Sequence, residues 1–474
     1  MPPEFDLFAV NRGSITAPAG CGKTQLIANT LSLHNGAKPI LVLTHTNAGV
    51  GALRARLQRA GVSKLAYRVS TIDSWAIRLI SKFPLRSGHD PRVLRLENPG
   101  TDYAAVREAA WRLLSKGDVS DVLVATYSRL LVDEYQDCTL PQHAIIDWAA
   151  TVLPTCVLGD PLQAIFGFRE PTVDWQKNVL TQFSSVGELQ TPWRWRNADA
   201  EALGQWLLSA RNTLLSGQPV DLREAPAEVT WVPLSNDPVE AQLQRMEAAR
   251  TKAPTKHGTV LVIGDSTNPQ GQRLVASRTP GATMVEAIDL RDLTLFGRSF
   301  DPAAVGAYKS LVSFAAEMMT NLGMAELLRR VEILAKGTAR KAATAAEAAA
   351  LEFHTLPSFI TAVAAVEAFV DAPDVRVYRP EVLQVCLAAM RAAARGECSF
   401  YEAVVRARER NRHLERPPSR RAVGSTLLLK GLEADVVVVL NPGVMNAKHL
   451  YVALTRGARR VVVCSQSPVL VPIG

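Results

Sequence analysis

The chain has few cysteines and no long apolar run. Its 474 residues include six cysteines, and no two form a Cys-x-x-Cys pair, which excludes the usual zinc and iron–sulfur motifs. No charge-free apolar stretch reaches the length of a membrane span. The first residues, MPPEFDLFAV, lack the basic and apolar regions of a secretory signal. We therefore expect a cytoplasmic protein with reduced, mostly buried thiols.

The charge balance and the length indicate a basic protein with several domains. Lysine and arginine number 53 against 45 aspartate and glutamate residues, which gives a formal net charge of +8. This excess fits a polyanionic partner, but an ordinary soluble surface explains it almost as well. At about 100 to 200 residues for each domain, the length predicts two to four domains.

Short β-branched or leucine-rich runs recur along the chain, most of them before a polar turn. They lie at 40–44, 130–134 and 155–160, and again at 259–265, 434–441 and 459–465. Such runs are typical of strands that are buried on both faces of a parallel sheet. The sequence therefore predicts an α/β protein with two parallel-sheet cores.

The predicted domain boundaries combine the composition with the order of the motifs described below. The first core takes residues 1–80 and 128–188, the second takes 189–279 and 422–474, and helical insertions take 81–127 and 280–421. The longer insertion is rich in alanine, leucine and arginine. A basic segment at 404–423 near its end is either a solvated hinge or a phosphate contact.

The segment APAGCGKT has the composition and the surroundings of a phosphate-binding loop. It follows the apolar run SIT and precedes the helical run QLIANTL, so it lies between a strand and a helix. Backbone N–H groups and a helix N-terminus bind phosphates in such a loop. Lys23 would contact the β and γ phosphates, and Thr24 would ligate Mg²⁺. The predicted nucleotide contacts in this segment are Ala17, Pro18, Ala19, Gly20, Cys21, Gly22, Lys23, Thr24 and Gln25.

Two adjacent carboxylates end the apolar run LLVDE. Asp133 would hold the Mg²⁺, and Glu134 would orient and deprotonate the attacking water. Paired acids after a strand are otherwise often the N-cap and first turn of a helix. The phosphate loop upstream favours the catalytic interpretation.

The segment DEYQD opens a series of motifs that resembles superfamily 1 helicases of the UvrD/Rep/PcrA kind. DEYQD is similar to their DExQD box, and the remaining boxes occur in the family's order. These are ILVLTHTNAGVGALRARL at 40–57, VSTIDSWAIRLI at 69–80, GDPLQAIFGFRE at 159–170, LQTPWRWRN at 189–197, STLLLKGLEAD at 425–435 and LYVALTRGARR at 450–460. The resemblance covers both predicted cores and implies that they are RecA-like, with ATP and Mg²⁺ as cofactors.

The resemblance implies further contacts to the nucleotide. Gln163 would sense the γ-phosphate, and Glu433 would bind the ribose. Arg194 and Arg456 would bring positive charge to the γ-phosphate from the second core or its border, so that hydrolysis depends on closure of a cleft. Arg196 competes with Arg194 for the first of these positions.

The same resemblance implies a track for single-stranded nucleic acid. Translocation needs a sequence-tolerant grip, which base stacking on aromatic rings and phosphate contacts provide. Phe166 and Phe168 take the aromatic positions of their box, and Arg169 follows as a phosphate or base contact. The predicted DNA contacts are His45, Thr46, Asn47, Phe166, Phe168 and Arg169.

Three features depart from the family pattern. Asp73 and Leu427 replace two histidines that normally serve coupling to DNA, and residues 1–16 lack the glutamine that reads adenine. These departures make ATPase activity the firmer expectation and strong unwinding the weaker one. Gln136 and Asp137 would link the acid box to other motifs.

Three functions fit these motifs. The first is an ATP-dependent translocase or helicase of 3′-to-5′ polarity that acts on single-stranded DNA or on a duplex with a single-stranded tail. The second is a nucleotide-switched DNA-binding subunit that loads or restrains a nuclease without processive movement. The third is an accessory motor of repair or recombination. The compact layout resembles the helicase-like subunit of Gabija-type anti-phage systems, which works beside a nuclease subunit.

Overall fold

The computed structural model describes residues 4–167, 170–287, 289–411 and 419–473. Contacts divide the chain into two compact units, which are described separately. The first comprises Met1–Thr230, Pro442–Val461 and Ser467–Gly474, and the second comprises Trp231–Asn441 and Val462–Gln466. Residues 189–230 thus group with the first unit by their contacts, and the predicted boundaries of the cores and insertions remain a prediction.

A six-stranded parallel sheet forms the centre of the first unit, which confirms the first predicted core. Its strand order is β3-β2-β4-β5-β1-β6. In chain order, the strands are β1 (Arg12–Thr16), β2 (Ile40–Thr44), β3 (Tyr67–Thr71), β4 (Arg129–Val132), β5 (Thr155–Gly159) and β6 (Ser184–Glu188). The predicted runs at 40–44, 130–134 and 155–160 are therefore strands, and β4 ends just before the acid pair.

Strand β2 shows why the sheet needs continuous apolar runs. Leu41 and Leu43 pack into one apolar cluster, whereas Ile40 and Val42 pack into another, because successive side chains point to opposite faces. All five residues of the strand are buried. Helices cover both clusters, so no position of the strand meets water.

Eleven α-helices of the first unit surround this sheet and its loops in the described part of the chain. They are α1 (Lys23–Ser32), α2 (Asn47–Arg59), α3 (Ile72–Lys82), α4 (Pro84–Ser87), α5 (Pro99–Ser115), α6 (Ser120–Thr126), α7 (Leu140–Ala149), α8 (Leu180–Gln182), α9 (Trp193–Arg196), α10 (Glu201–Leu215) and, near the C-terminus, α21 (Ala447–Leu454), with the short turn Pro161–Gln163 as a 3₁₀ helix. A small antiparallel ribbon joins β7 (Val220–Asp221) to β16 (Val469–Leu470).

A second six-stranded parallel sheet confirms the second predicted core. Its order is β10-β13-β9-β14-β15-β8. The strands are β8 (Val229–Pro233), β9 (Val260–Ile263), β10 (Ala282–Met284), β13 (Arg421–Gly424), β14 (Ala434–Val439) and β15 (Gly457–Ser465). The predicted runs at 259–265, 434–441 and 459–465 all fall on these strands.

The remaining helices of the second unit lie mostly between β10 and β13 in the chain. They are α11 (Pro238–Ala248), α12 (Pro269–Arg278), α13 (Arg291–Ser299), α14 (Ala307–Ala316), α15 (Met324–Ala335), α16 (Ala345–Thr355), α17 (Phe359–Val370), α18 (Pro380–Ala394), α19 (Phe400–Asn411) and α20 (Thr426–Leu429). A ribbon of β11 (Met319–Thr320) and β12 (Arg376–Val377) interrupts them. Residues of α13 to α19 form an apolar cluster of their own.

Local signals fix the ends of helices in this region. Gly337, just after α15, has a left-handed φ of 69°, a conformation that ends helices and favours glycine. Thr344 and Glu347 form a reciprocal capping box that starts α16. The alanine- and leucine-rich sequence of this part of the insertion therefore forms two helices, α15 and α16.

The thiols and the apolar segments agree with the expectations from composition. All six cysteines are free, and only Cys398 is not buried. Within the described ranges, no helix combines the length and the hydropathy that a bilayer crossing requires.

Candidate functional site

The phosphate loop joins β1 to α1. Gly20 and Gly22 have left-handed φ values of 72° and 87°, and Gly22 is the N-cap of α1 without any side-chain cap. The N-terminal N–H groups of α1 therefore receive no side-chain acceptor from the N-cap residue. A Cβ atom on Gly20 would lie only 2.5 Å from the ring of Trp195, so this position requires glycine for its conformation and for its packing.

The structure brings Lys23 together with both members of the acid pair. Strands β1 and β4 lie on either side of β5, so the loops after them meet at the same edge of the parallel sheet. The Nζ atom of Lys23 lies 3.0 Å from Oδ1 of Asp133 and 2.6 Å from Oε1 of Glu134. Residues 110 positions apart in the chain thus form one charged cluster.

Burial and charge act in opposite directions on the titration of this cluster. Burial alone would lower the pKa of Lys23, but the carboxylates of Asp133 and Glu134 outweigh it and raise that pKa above its usual value. Burial raises the pKa of Asp133, although the Lys23 amine opposes the rise. The lysine is therefore held as a cation at the point where phosphate oxygens would bind.

Glu134 has a strained backbone. Its φ of 55° and ψ of 40° place it in the left-handed region, which non-glycine residues adopt at a cost of about 1–2 kcal/mol. This conformation directs the chain out of β4 and into the 3₁₀ turn Tyr135–Asp137. Strain of this kind is concentrated at functional sites.

A hydrogen-bonded chain links Glu134 to the GDPLQ segment. The Nε2 atom of Gln136 donates to Oε2 of Glu134 at 2.5 Å, and Oε1 of Gln136 accepts from the backbone N–H of Asp160 at 3.1 Å. Nε2 of Gln163 donates to Oδ2 of Asp160 at 3.1 Å. The predicted catalytic base and the predicted γ-phosphate sensor, Gln163, are thus connected through the fully buried Asp160.

The segment LQTPWRWRN packs directly on the phosphate loop. The backbone N–H of Arg194 donates to the carbonyl of Gly20 at 3.0 Å, and its Nη1 donates to the carbonyl of Thr455 at 2.5 Å. Arg196 instead forms an exposed ion pair with Glu201 at 2.7 Å. Arg194 therefore lies against the phosphate loop, and its role at the nucleotide stays a prediction.

Helix α21 and the residues after it complete the surroundings of the loop. The hydroxyl of Tyr451 accepts a hydrogen bond from the backbone N–H of Ala19 at 3.1 Å. Arg456 is only 3% exposed, and its Nε donates to the carbonyl of Val452 at 2.9 Å. Arg456 therefore belongs to the same unit as the phosphate loop, with its guanidinium bonded to the end of its own helix.

Two of the predicted DNA contacts lie next to each other. The rings of His45 and Phe166 are stacked with centroids 6.3 Å apart, although 121 positions separate them in the chain. Thr46 caps α2 by accepting from the N–H of Gly49, and both Thr46 and Asn47 are exposed. The other two predicted contacts, Phe168 and Arg169, lie outside the described residues.

Asp73, which replaces a histidine of the family box, forms an ion-pair network. Its carboxylate accepts two hydrogen bonds from the guanidinium of Arg107, each of 2.8 Å, and one from Nε2 of Gln142 at 3.0 Å. Arg107 also donates to Glu170 at 2.7 Å. Glu170 directly follows the predicted DNA contacts Phe168 and Arg169 in the sequence. Asp73 at this position therefore connects α3 to α5 and α7. The sequence motif that contains Asp73 did not identify Arg107 as its partner.

The residues around Lys23 fit a nucleotide with Mg²⁺. Thr24 follows Lys23 in the first turn of α1, and its hydroxyl and the Asp133 carboxylate are the hard oxygen ligands that Mg²⁺ prefers. Within the part of the chain that the structure describes, no group of three or more His, Cys, Asp and Glu side chains could hold a metal by itself. Glu433, the predicted ribose contact, is exposed just before β14 in the second unit, and its role remains a prediction.

Comparison with known proteins gives a family match to part of the chain. Residues 94–184 match the model of the UvrD/REP helicase N-terminal domain. This segment contains the acid box and GDPLQ but not the phosphate loop, and it is too short a part of the chain to establish membership of the family. No curated protein matches the chain.

A solved structure of an arterivirus nonstructural protein 10, a helicase in complex with DNA, is similar to the chain at 10% sequence identity. The match covers 96% of this chain and 61% of that one, with a TM-score of 0.35. The chain thus spans less than two thirds of the length of the matched protein. Because identity and TM-score are low, this similarity supports no argument about function.

Proposed function

We propose that this protein is an ATP-dependent translocase or helicase that moves 3′ to 5′ along single-stranded DNA. The observation that carries the proposal is the cluster of Lys23, Asp133 and Glu134 at the carboxyl edge of the first sheet. It joins a glycine-containing loop at a helix N-terminus to an acid pair, as nucleotide hydrolysis requires. The match of residues 94–184 to a helicase N-terminal domain supports the choice of a motor.

Each member of the cluster has a distinct role in this proposal. The amine of Lys23 binds the β and γ phosphates and neutralises charge that develops during phosphoryl transfer. The hydroxyl of Thr24 and the carboxylate of Asp133 hold Mg²⁺, which supplies further charge neutralisation when bound. The carboxylate of Glu134 orients the attacking water and accepts its proton. Gln136 holds Glu134 in place through its amide.

The stacked pair His45 and Phe166 supports the DNA-binding part of the proposal. Their rings follow strands β2 and β5, whose carboxyl ends lie at the same edge as the phosphate loop. Stacking of bases on aromatic rings contributes about 1–3 kcal/mol for each base. Replacing Phe166 with alanine should therefore weaken binding of single-stranded DNA by up to about 3 kcal/mol.

The deciding experiment is an ATPase titration with single-stranded DNA, duplex DNA and RNA. We expect stimulation by single-stranded DNA, and we expect Lys23→Ala and Glu134→Gln to abolish turnover. Arg92→Gln is a matched control, because Arg92 is an exposed residue of the same unit that forms an ion pair with Asp90. Turnover that persists in both cluster variants, or that ignores every nucleic acid, would refute the proposal.

A second function is a nucleotide-switched binding subunit that clamps DNA without processive movement. The burial of Arg456, whose guanidinium donates to Val452 and Thr455, favours this candidate, because these bonds would have to be given up before that charge could serve hydrolysis. Arg456→Ala separates the two functions. A motor loses DNA-stimulated turnover, whereas a clamp keeps ATP-dependent DNA binding at full strength.

The proposed partner is a separate nuclease subunit that acts in phage defence or in DNA repair. This part rests on the resemblance in layout alone. Expression of the protein together with the products of neighbouring coding regions, followed by purification, tests it. Recovery of a nuclease at a fixed ratio supports the partnership, and its consistent absence contradicts it.

A further inference from the structure

The first unit contains a buried charged cluster that the nucleotide-binding motifs do not explain. Arg211 on α10 is 1% exposed, and its Nε and Nη2 atoms both lie 3.2 Å from Oδ1 of Asp160. Its Nη1 atom donates to Oε1 of Glu188 at 2.9 Å. Asp160 is fully buried, whereas the Glu188 side chain is 35% exposed. One guanidinium therefore joins the end of β5 to the end of β6.

Asp160 is the junction between Arg211 and the proposed catalytic groups. Its Oδ2 atom accepts from Gln163, its Oδ1 atom accepts from the N–H of Leu162, and its own N–H donates to Gln136. Gln136 in turn donates to Glu134. A rotation of the Asp160 carboxylate would therefore disturb the proposed γ-phosphate sensor, Gln163, directly, whereas Gln136 and the proposed catalytic base are linked to Asp160 through its backbone N–H.

Stability alone is a poor reason for this arrangement. A buried ion pair loses the hydration of both charges, and apolar residues of the same volume are often equally stable or more stable. The guanidinium does provide what an apolar residue cannot, because its planar donors fix the orientation of the carboxylate that they bind. Fixed orientation matters most where a carboxylate positions reacting groups.

We propose that Arg211 is a positioning residue, which holds the Asp160 carboxylate so that Gln163 is aligned for hydrolysis. This inference rests on the proposed nucleotide hydrolysis at the Lys23 cluster. Arg211 lies outside every motif, 17 positions beyond Arg194, and it acts through Asp160 without contact to the nucleotide.

The test compares Arg211→Met with Arg379→Met in the full chain. Arg379 is the matched control, because it is also 1% exposed and binds Glu286 at 2.6 and 3.0 Å and Asp292 at 2.8 Å. It lies in the second unit, within a cluster to which no function has been assigned. Both variants lose a buried guanidinium, so both should melt at lower temperature.

The two variants should differ in catalysis when they are assayed well below their melting temperatures. We expect Arg211→Met to lower kcat by about 10- to 100-fold while KM for ATP changes by less than about threefold. Arg379→Met should keep the wild-type kcat. Arg211→Lys should recover melting temperature more than kcat, because an ammonium restores charge but cannot make the planar contact to Asp160 and Glu188.

The outcomes separate this inference from the function on which it rests. If Arg211→Met keeps kcat while the wild type is active and Lys23→Ala is inactive, the positioning role is wrong and the proposed function stands. If Arg379→Met loses kcat to the same degree, the effect is general destabilisation and the positioning role is again wrong. If the wild type shows no turnover under any condition, the proposed function fails and the inference fails with it.

Discussion

The ion-pair network around Arg107 allows a quantitative prediction about stability. Arg107→Met removes two hydrogen bonds to Asp73 and one to Glu170. Loss of one partner from a buried ion pair costs about 3–5 kcal/mol, mainly because the other charge stays buried and unpaired. The Asp73 side chain is 19% exposed and keeps its hydrogen bond from Gln142, which lessens the cost. We therefore expect a loss of about 2–3 kcal/mol.

Glu170 contributes little to this value. Its side chain is 46% exposed, so water solvates the carboxylate once Arg107 is gone. The uncompensated charge of Asp73 is then the main source of the loss. If that is so, the double variant Asp73→Asn with Arg107→Met should be more stable than Arg107→Met alone, by about 1 kcal/mol or more.

Urea unfolding followed by tryptophan fluorescence measures these differences. Seven of the eight tryptophans, all but Trp231, belong to the first unit, so the signal reports mainly on the unit that contains the network. The slope of the free energy against urea should stay unchanged, since the same surface is exposed on unfolding. A double variant no more stable than the single variant would refute the reasoning, because the partly buried Asp73 charge would then not be the cause.

Three further predictions concern single groups of the first unit. Burial raises the pKa of the Cys21 thiol to about 12, so iodoacetamide at pH 8 should leave Cys21 unmodified in the folded protein while the less buried Cys398 reacts, and peptide mass spectrometry reads this directly. Tyr451→Phe removes the acceptor of the Ala19 N–H, and it should therefore cost about 1 kcal/mol of stability and weaken ATP binding. Denaturation measures the stability and calorimetry measures the binding. If neither value changes, Tyr451 does not support the phosphate loop. Burial lowers the pKa of His143, so the folded state binds its proton less readily than the unfolded state, and the stability that this provides is lost as pH falls below about 6.5. The stability of His143→Gln should depend less on pH in that range than that of the wild type, and an identical pH profile would contradict the assignment.

Much of the fold and of the nucleotide site could be predicted from the sequence, because both depend on local order. A strand buried on both faces needs a continuous apolar run, and the runs at 40–44 and 155–160 are strands within one residue of the predicted bounds. The carboxyl ends of parallel strands meet at one edge of a sheet, so a loop after β1 and an acid pair after β4 were bound to lie close together. Lys23, Asp133 and Glu134 follow from that rule.

The contacts that only the tertiary structure decided join residues without a shared motif. Arg211 and Asp160 are 51 positions apart, and Arg107 and Asp73 are 34 apart. No periodicity or box predicts such pairs, because they depend on which helix packs over which strand end. The sequence determines which groups can do the chemistry, whereas the packing of distant segments determines which side chains hold those groups in position.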